Sequence, residues 1–341
     1  MRILVTGGAG FIGSAFVRYL LRTHDDVQVV NYDKLTYAGN LENLKEVERD
    51  PRYRFIQGDI GDFEAARCAL EGVDVVVNFA AESHNDRGVL DPGIFLRTNV
   101  VGTQTMLEAS RQAGVSRFHH ISTCEVFGDL ALNENRAFHE DDPYLPRTPY
   151  NASKASTNHV VMAYYHTFGL PITISHCCNN YGPYQFPEKL IPLFTTNALE
   201  NKSLPLMKSS ANRREWIHVD DHSAAVNLIL QKGKIGEAYN IGTGVEKSVE
   251  EITDIILQTL GKPETLKMYI ADRPGHDRRY LLATDKIRNE LGWAPRIPFE
   301  EGLRATIEWY QNNPGWWQRV KDGSYQKYYD EYYRETLGAQ M

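Results

Sequence analysis

Residues 2–22 read RILVTGGAGFIGSAFVRYLLR, and the order of residue types in this stretch decides the architecture. Residues 2–5 form an apolar run of strand character, glycines follow, and from about residue 10 to residue 22 apolar positions recur at helical spacing. Gly7, Gly10 and Gly13 fall three apart. Glycine permits the tight turn from strand to helix and lets the backbone approach a bound group closely. The helix start adds unpaired N–H groups and the positive end of its dipole, a combination suited to a pyrophosphate. A glycine triplet alone is a weak signal. Here a second strand follows at residues 27–32, and Asp33 closes it twenty positions beyond Gly13. A carboxylate at that place binds both ribose hydroxyls of NAD and repels the extra phosphate of NADP, so NAD is the expected cofactor. Asp59, after a short third strand at 55–57, is placed either to hold the adenine edge or to cap its own turn.

The same alternation continues outward. A β-branched run at 73–79 has the composition of a strand buried on both faces. Helical spacing at 99–113, a strand at 117–121, a long helix at 150–168 and a strand at 172–175 complete the pattern. Strand and helix in turn give an α/β, doubly wound parallel sheet of the Rossmann kind. The second half reads as less regular, with Pro- and Gly-rich loops around Gly182-Pro183-Tyr184 and Asp272-Arg273-Pro274-Gly275. Residues 1–180 are therefore expected to form the dinucleotide-binding domain and 181–341 mainly a smaller substrate-binding lobe, with part of 215–245 returning to the first. The aromatic tail, from Trp309 and Tyr310 through Trp316 and Trp317 to Tyr328, Tyr329, Tyr332 and Tyr333, is expected to dock as a terminal helix.

Composition narrows the class. Of 341 residues, 37 are basic and 44 acidic, a formal charge of −7 with no basic block, which argues against nucleic-acid binding. No apolar run is long enough to span a bilayer. The opening MRILVTGGAG enters a strand pattern at once, so no signal peptide is expected. Cys68, Cys124, Cys177 and Cys178 match neither a zinc site nor a disulfide framework, so no metal is expected and a reducing cytoplasm fits best.

The chemistry-bearing pattern is Tyr150-Asn151-Ala152-Ser153-Lys154, which puts Tyr150 and Lys154 on one helical face. A lysine ammonium beside a tyrosine lowers the phenol pKa from about 10. The phenolate can take a proton from a substrate hydroxyl while hydride leaves the same carbon for nicotinamide. Ser122-Thr123-Cys124-Glu125-Val126-Phe127-Gly128 follows a predicted strand, whose C-terminal end faces the ligand crevice in such a sheet. Thr123 can donate to the oxygen being oxidised, and Glu125 points a carboxylate to the same place. The alternative is that Thr123 and Glu125 simply begin a helix, as cap and first-turn acid.

With these motifs in hand, the chain resembles the dTDP-glucose 4,6-dehydratase family over nearly its whole length. The matching blocks are TGGAGFIGSAFVRYLL, NYDKLTYAGNLENL, AAESHNDR, RTNVVGTQTMLEA, PYNASKAS, NNYGPYQFPEKLIPLF, REWIHVDDH, YNIGTG and ADRPGHDRRY. The resemblance implies oxidation at C4 of a nucleotide-linked hexose, loss of water across C5 and C6, and return of the hydride to C6. Tyr150 would take the C4 hydroxyl proton and Glu125 the C5 proton. It implies a cofactor set of Gly7, Gly10, Phe11, Ile12, Gly13, Asp33, Lys34, Asp59, Ile60 and Ala80 with Tyr150 and Lys154. Ser83, His84, Asn180, Lys189, Leu190, Arg214, Val245, Arg273 and His276 would hold the sugar nucleotide, the arginines by bidentate bonds to phosphate. It further implies a homodimer formed through the helices at 99–113 and 150–168.

Departures bear on the chemistry. The family motif Thr-Asp-Glu reads Thr123-Cys124-Glu125 here, so a thiol occupies the place of the acid that protonates the departing C6 hydroxyl. A thiol, with a reference pKa of about 8.5, is a far weaker acid than a carboxyl. Cys124 could donate as a thiol, Glu125 could do both jobs, or Cys124 could be a small packed residue. Phe127, Gly88, His176, Val245 and the stretch Leu204-Pro205-Leu206-Met207-Lys208 also depart from the family's usual residues, the last where an aromatic would stack on the base. A C4-oxidising epimerase or decarboxylase, or a non-catalytic sugar-nucleotide binder, are the alternatives these departures keep open.

Overall fold

A computed structural model of the chain describes residues 1–84, 91–272 and 277–325. Seven strands form one sheet: β1 (Arg2–Thr6), β2 (Gln28–Asp33), β3 (Tyr53–Gln57), β4 (Val75–Asn78), β5 (Arg117–Thr123), β6 (Ile172–Cys177) and, far along the chain, β10 (Ala238–Ile241). Their order is β10-β6-β5-β4-β1-β2-β3, every neighbour pair parallel. Period-two alternation splits each strand between two cores. Ile3, Val5, Val29, Val75 and Val77 pack on one face against Phe16, Val17 and Leu20 of α1 (Phe11–Thr23) and Val226 and Ile229 of α6 (Val219–Lys232). Leu4, Val30, Val76, Phe118 and Ile172 pack on the other against Met106 and Leu107 of α3 (Thr103–Ala113) and Val161 of α4 (Pro149–Phe168). Burial on both faces is why these strands read as continuous apolar runs.

Local signals place the helix ends. Thr148 caps α4 by accepting from the Asn151 N–H, Pro149 occupies the first turn, and Gly169 closes the helix at φ 68°. The helical run expected at 99–113 starts earlier: a turn at Gly93–Phe95 and a π-helical stretch, Leu96–Gly102, lead without a break into α3.

The second half is more regular than its sequence implies. It holds β7 (Asn179–Tyr181), α5 (Leu190–Leu199), β8 (Leu204–Met207), β9 (Arg213–His218), β11 (Glu246–Ser248), α7 (Val249–Leu260), β12 (Lys267–Ile270), α8 (Asp285–Leu291) and α9 (Phe299–Asn312). Its strands are three to six residues long, too short for periodicity to declare them. They make a small sheet, β11-β9-β7, and a pair, β12-β8, over a core that includes Ile191, Leu206, Ile256 and Leu303. The chain crosses back to the large sheet twice. β10 adds its edge strand, and Tyr280, Leu282, Ile287 and Trp293 join the core beneath α1 and α6. Tyr310, Trp316 and Trp317 pack with Tyr184 and Trp309 in a separate aromatic cluster, while Tyr328, Tyr329, Tyr332 and Tyr333 lie outside the described residues.

Glu215 on β9 ties the parts together. It is fully buried, and its carboxylate accepts from the backbone N–H groups of Thr243 and Gly244, each at 2.7 Å, and of Leu282 at 3.0 Å. Burial pushes its pKa up to about 7 against the pull of those three donors. In Glu215→Gln an NH2 would confront an N–H in a fully buried site, so we expect a loss of about 2 kcal/mol in stability, read by chemical denaturation.

Candidate active site

The glycine turn is built by close approach. Gly7 has φ 66°, and a Cβ there would stand 2.8 Å from the Ala80 backbone; a Cβ on Gly13 would stand 2.2 Å from the Gly7 carbonyl oxygen. Side chains at either place would push the start of α1 away from β1 and β4. Asp33 at the end of β2 has a second task that the sequence did not disclose. Its two oxygens accept from the N–H groups of Ala9 at 2.9 Å and Leu35 at 2.8 Å, so the carboxylate fixes the glycine turn as well as facing the crevice. Asp59 accepts from the Gly61 N–H at 2.9 Å and pairs with Lys34 at 2.7 Å. Capping its turn and lining the site are compatible for this residue.

A cleft of about 710 Å³ opens along the C-terminal ends of the strands. Its walls include Gly7, Gly10, Phe11, Ile12, Gly13, Asp33, Lys34, Asp59, Ile60 and Ala80 at one end, and Ser83, Thr123, Cys124, Glu125, Tyr150, Lys154, Asn180 and Lys189 toward the other. The residues fit NAD: the backbone lies bare at the glycine turn, a carboxylate stands at the end of β2, and the nearby cation Lys34 is engaged by Asp59.

Other expected positions stand apart from this lining. His84 is buried with Nε2 3.6 Å from Glu188, and Leu190 begins α5. The Arg214 guanidinium stacks over the Tyr280 ring at 4.8 Å and donates to the Asp277 carbonyl at 2.7 Å. Val245 packs on the lobe core beside β11, as do Leu204 and Leu206 of β8. Arg273, His276 and Gly88 lie outside the described residues. His176, on β6, is a satisfied core histidine, with Nδ1 at 3.2 Å from Asn240 and Nε2 at 3.0 Å from the Tyr144 hydroxyl. Phe127 stacks on Phe138 in the core.

Thr123 both caps and faces the site. Its hydroxyl accepts from the Glu125 N–H at 3.3 Å, starting a single 3-10 turn, Cys124–Phe127, on which the cleft-facing side chains are mounted. Tyr150 is 8% and Lys154 4% exposed. The phenol is not lowered in the protein alone, contrary to the expectation from the Tyr/Lys pairing. Burial pushes it well above its ordinary value, the charges of Glu125, Cys177 and Cys124 add to that, and a hydrogen bond with Thr123 opposes it. Burial brings Lys154 down to about 8. Cys124, 1% exposed, is pushed well above the ordinary thiol value by burial, then by Glu125.

Several lining residues carried no chemical signature in the sequence. Arg97 and Thr98 come from the π-helical stretch, and Tyr37 joins Glu188 by a 3.1 Å hydrogen bond. They sit inside the quoted family blocks, and only the tertiary fold brings them to the cleft.

Fold and site together define an NAD-linked nucleotide-sugar dehydratase, and residues 4–306 match the model of the GDP-mannose 4,6 dehydratase family. Within that class, the dTDP-glucose 4,6-dehydratase of Escherichia coli is 48% identical, over 98% of this chain and 99% of its own. The enzyme of the same name from Neisseria meningitidis serogroup B is 49% identical, over 95% and 97%. DesIV, the dTDP-glucose 4,6-dehydratase of Streptomyces venezuelae solved with NAD bound, superimposes with a TM-score of 0.91 at 49% identity, covering 94% of this chain and all (100%) of that one. The chain belongs to the dTDP-glucose 4,6-dehydratase family.

Asp33→Ala removes the carboxylate from both the turn and the ribose corner. We expect NAD affinity to fall by about tenfold or more, at roughly 1.5–3 kcal/mol per hydrogen bond to a charged group. Cofactor content after gel filtration, measured on the released nucleotide, checks it.

Proposed function

We propose that the protein removes water from dTDP-glucose to give the 4-keto-6-deoxy sugar nucleotide, with no net change in redox state. The observation that carries this reading is the meeting, in one cleft, of the Thr123–Glu125 turn and the Tyr150/Lys154 pair with a dinucleotide-binding glycine turn. Gly7, Gly10, Gly13 and Asp33 would hold NAD, which when bound would supply the hydride acceptor for C4 and, once reduced, the hydride donor for C6. Lys154 supplies positive charge one helical turn from Tyr150, and Tyr150 takes the C4 hydroxyl proton while Thr123 hydrogen-bonds at the same oxygen. The C4 ketone acidifies the C5 proton, and Glu125 removes it as hydroxide leaves C6 with a proton. C5 is then reprotonated.

The departing hydroxyl needs an acid. Burial and the neighbouring Glu125 keep Cys124 firmly a thiol, a poor proton donor in a general-acid step. Glu125 stands beside it and gains a proton in the step that creates the need for one. We therefore assign both transfers to Glu125 and regard Cys124 as a small packed wall of the sugar pocket. The epimerase reading is less well supported: a UDP-glucuronic acid 4-epimerase from Bacillus cereus shares the fold at a TM-score of 0.85 but only 29% identity.

The assembly we propose is a homodimer. Leu96 and Val101 are 54% and 56% exposed on the helical run that leads into α3, and Phe168 is 53% exposed at the end of the adjoining α4. Exposed apolar side chains along these paired helices, Leu96 and Val101 toward one end and Phe168 beside Arg111 at the other, suit a second copy of the same face. No helix among the described residues is long and apolar enough to cross a membrane, and all four cysteines are free. Free thiols fit the cytoplasm as its location.

Incubation with dTDP-glucose, followed by product mass, is expected to show loss of one water. An unchanged sugar nucleotide on NAD-loaded protein would contradict the reading. Glu125→Gln is expected to build up reduced cofactor while slowing water release by about a hundredfold or more, the scale of a lost general acid–base. Cys124→Ser should stay within about threefold of the parent, since a hydroxyl is a still weaker acid than a thiol. The double change Leu96→Glu and Val101→Glu is expected to yield monomers by light scattering, because the charges would be desolvated in the interface.

A further inference from the structure

Lys154 is largely buried at the wall of the cleft, and its shortest hydrogen bond is to the Ile121 carbonyl, at 2.6 Å. A buried ammonium needs further acceptors. The next group in reach is the ring of His120, whose Nε2 lies 3.3 Å from Nζ. The opposite ring nitrogen, Nδ1, lies 3.3 Å from the Asn78 side-chain amide. That amide also meets the hydroxyls of Thr6 at 2.6 Å and Thr103 at 3.1 Å, and every member of the set is buried. With the Ala80 N–H, which donates to the Thr6 hydroxyl at 3.1 Å, the protons of this set can be counted.

A neutral imidazole carries one ring proton. With that proton on Nε2, Nδ1 accepts from the Asn78 NH2, and Lys154 can bond to Nε2–H only as a neutral amine. With the proton on Nδ1, Nε2 accepts from the Lys154 ammonium, and Asn78 turns its carboxamide so that the oxygen faces the ring. The Thr103 hydroxyl then donates to that oxygen, and the Thr6 hydroxyl oxygen, which already accepts from the Ala80 N–H at 3.1 Å, accepts from the turned NH2 as well, so that the Thr6 proton gives up the Asn78 oxygen it bonds in the first arrangement. Both arrangements satisfy both ring nitrogens. They differ in the charge of Lys154.

We propose that His120 is a positioning residue for the proton abstraction by Tyr150: as the Nδ1–H tautomer it holds Lys154 in the ammonium form, and ring tautomer and lysine charge switch together. The inference rests on the reading of Tyr150 as the base at C4. Burial, then the charge of Lys154, keeps the His120 ring from becoming a cation, so one ring nitrogen is an acceptor in either tautomer. Burial has already brought Lys154 down to about 8, which leaves its charge dependent on the acceptors it has.

The other groups facing these residues do not compete. Lys154 also feels Cys177 on β6, while His120 feels His119 and His176. His119 meets Thr173 and Ser175, and His176 meets Asn240 and Tyr144, with both rings kept neutral by burial. Tyr150 faces Glu125, Cys177, Cys124 and Thr123.

Two measurements on the full-length holoenzyme test this. In ¹⁵N-histidine NMR, with the signal assigned by its loss in His120→Gln, the two ring nitrogens are expected to exchange their protonated and unprotonated shifts in opposite senses as pH rises through the Lys154 titration. A ring that keeps one tautomer between about pH 6 and about pH 10, or becomes a cation there, overturns the proposal. The second measurement is the pH profile of cofactor reduction on mixing with dTDP-glucose. Tyr150 must be ionised, so the rate rises with pH, and weaker support from Lys154 moves that limb upward. His120→Leu is expected to move it up by about one unit, about tenfold at neutral pH, with KM changed less than about twofold. His120→Gln keeps an acceptor and should stay within about threefold. A parent-like profile in His120→Leu overturns the proposal. A parent enzyme that never reduces its cofactor would instead unseat the assigned reaction, and the tautomer record would still judge His120.

Discussion

The structure depends on keeping one lysine charged where its side chain is almost wholly buried. Lys154 lies under the C-terminal end of β5, on a helix whose other face is part of the core. An unpaired charge there would cost several kcal/mol. The fold meets that cost with a strand-end carbonyl, Ile121 O, and the ring of His120, both from the strand that also carries Thr123. Base, cation and substrate-facing hydroxyl are therefore held by two packed elements, and neither can shift without the other.

The same economy runs through the site. Asp33 holds the glycine turn and lines the cleft, Thr123 caps a turn and lines the cleft, and Asp59 caps its own turn while pairing with Lys34. Each cleft-facing polar group is also part of the scaffold that orients it, which limits the reorganisation a substrate must induce. Glu215 extends this order across the molecule by joining β9 to the loop after β10 and to Leu282. The lobe that would grip the nucleotide is thereby tied to the sheet that would carry the chemistry.

Much of this was legible in the sequence, for reasons that can be named. The first six strands and the helices α1, α3 and α4 alternate strongly, and the strands other than the edge strand β3 are buried on both faces, so composition and spacing announce them. Gly7, Gly13, Asp33, Tyr150 and Lys154 stand in fixed spacings because a turn and a helix impose them. The lobe was harder. Strands such as Asn179–Tyr181 and Glu246–Ser248 are only three residues long and pair across large separations, so no local period marks them. His120 and Asn78 gave no signal, because only the fold brings the His120 ring on β5 between Lys154 of α4 and Asn78 of β4. The phenol of Tyr150 went the other way from the expectation, since helical spacing reports a neighbouring cation but not the degree of burial.

In the proposed reaction one active site oxidises C4, expels water across C5 and C6, and returns the same hydride to C6. The most direct measurement uses dTDP-glucose carrying deuterium at C4, with the product read by NMR and mass spectrometry. The account predicts a 4-keto-6-deoxy product whose methyl group carries the deuterium from C4, with solvent hydrogen at C5. Deuterium lost to the medium, retained at C4, or absent from the methyl group of a dehydrated product would contradict it.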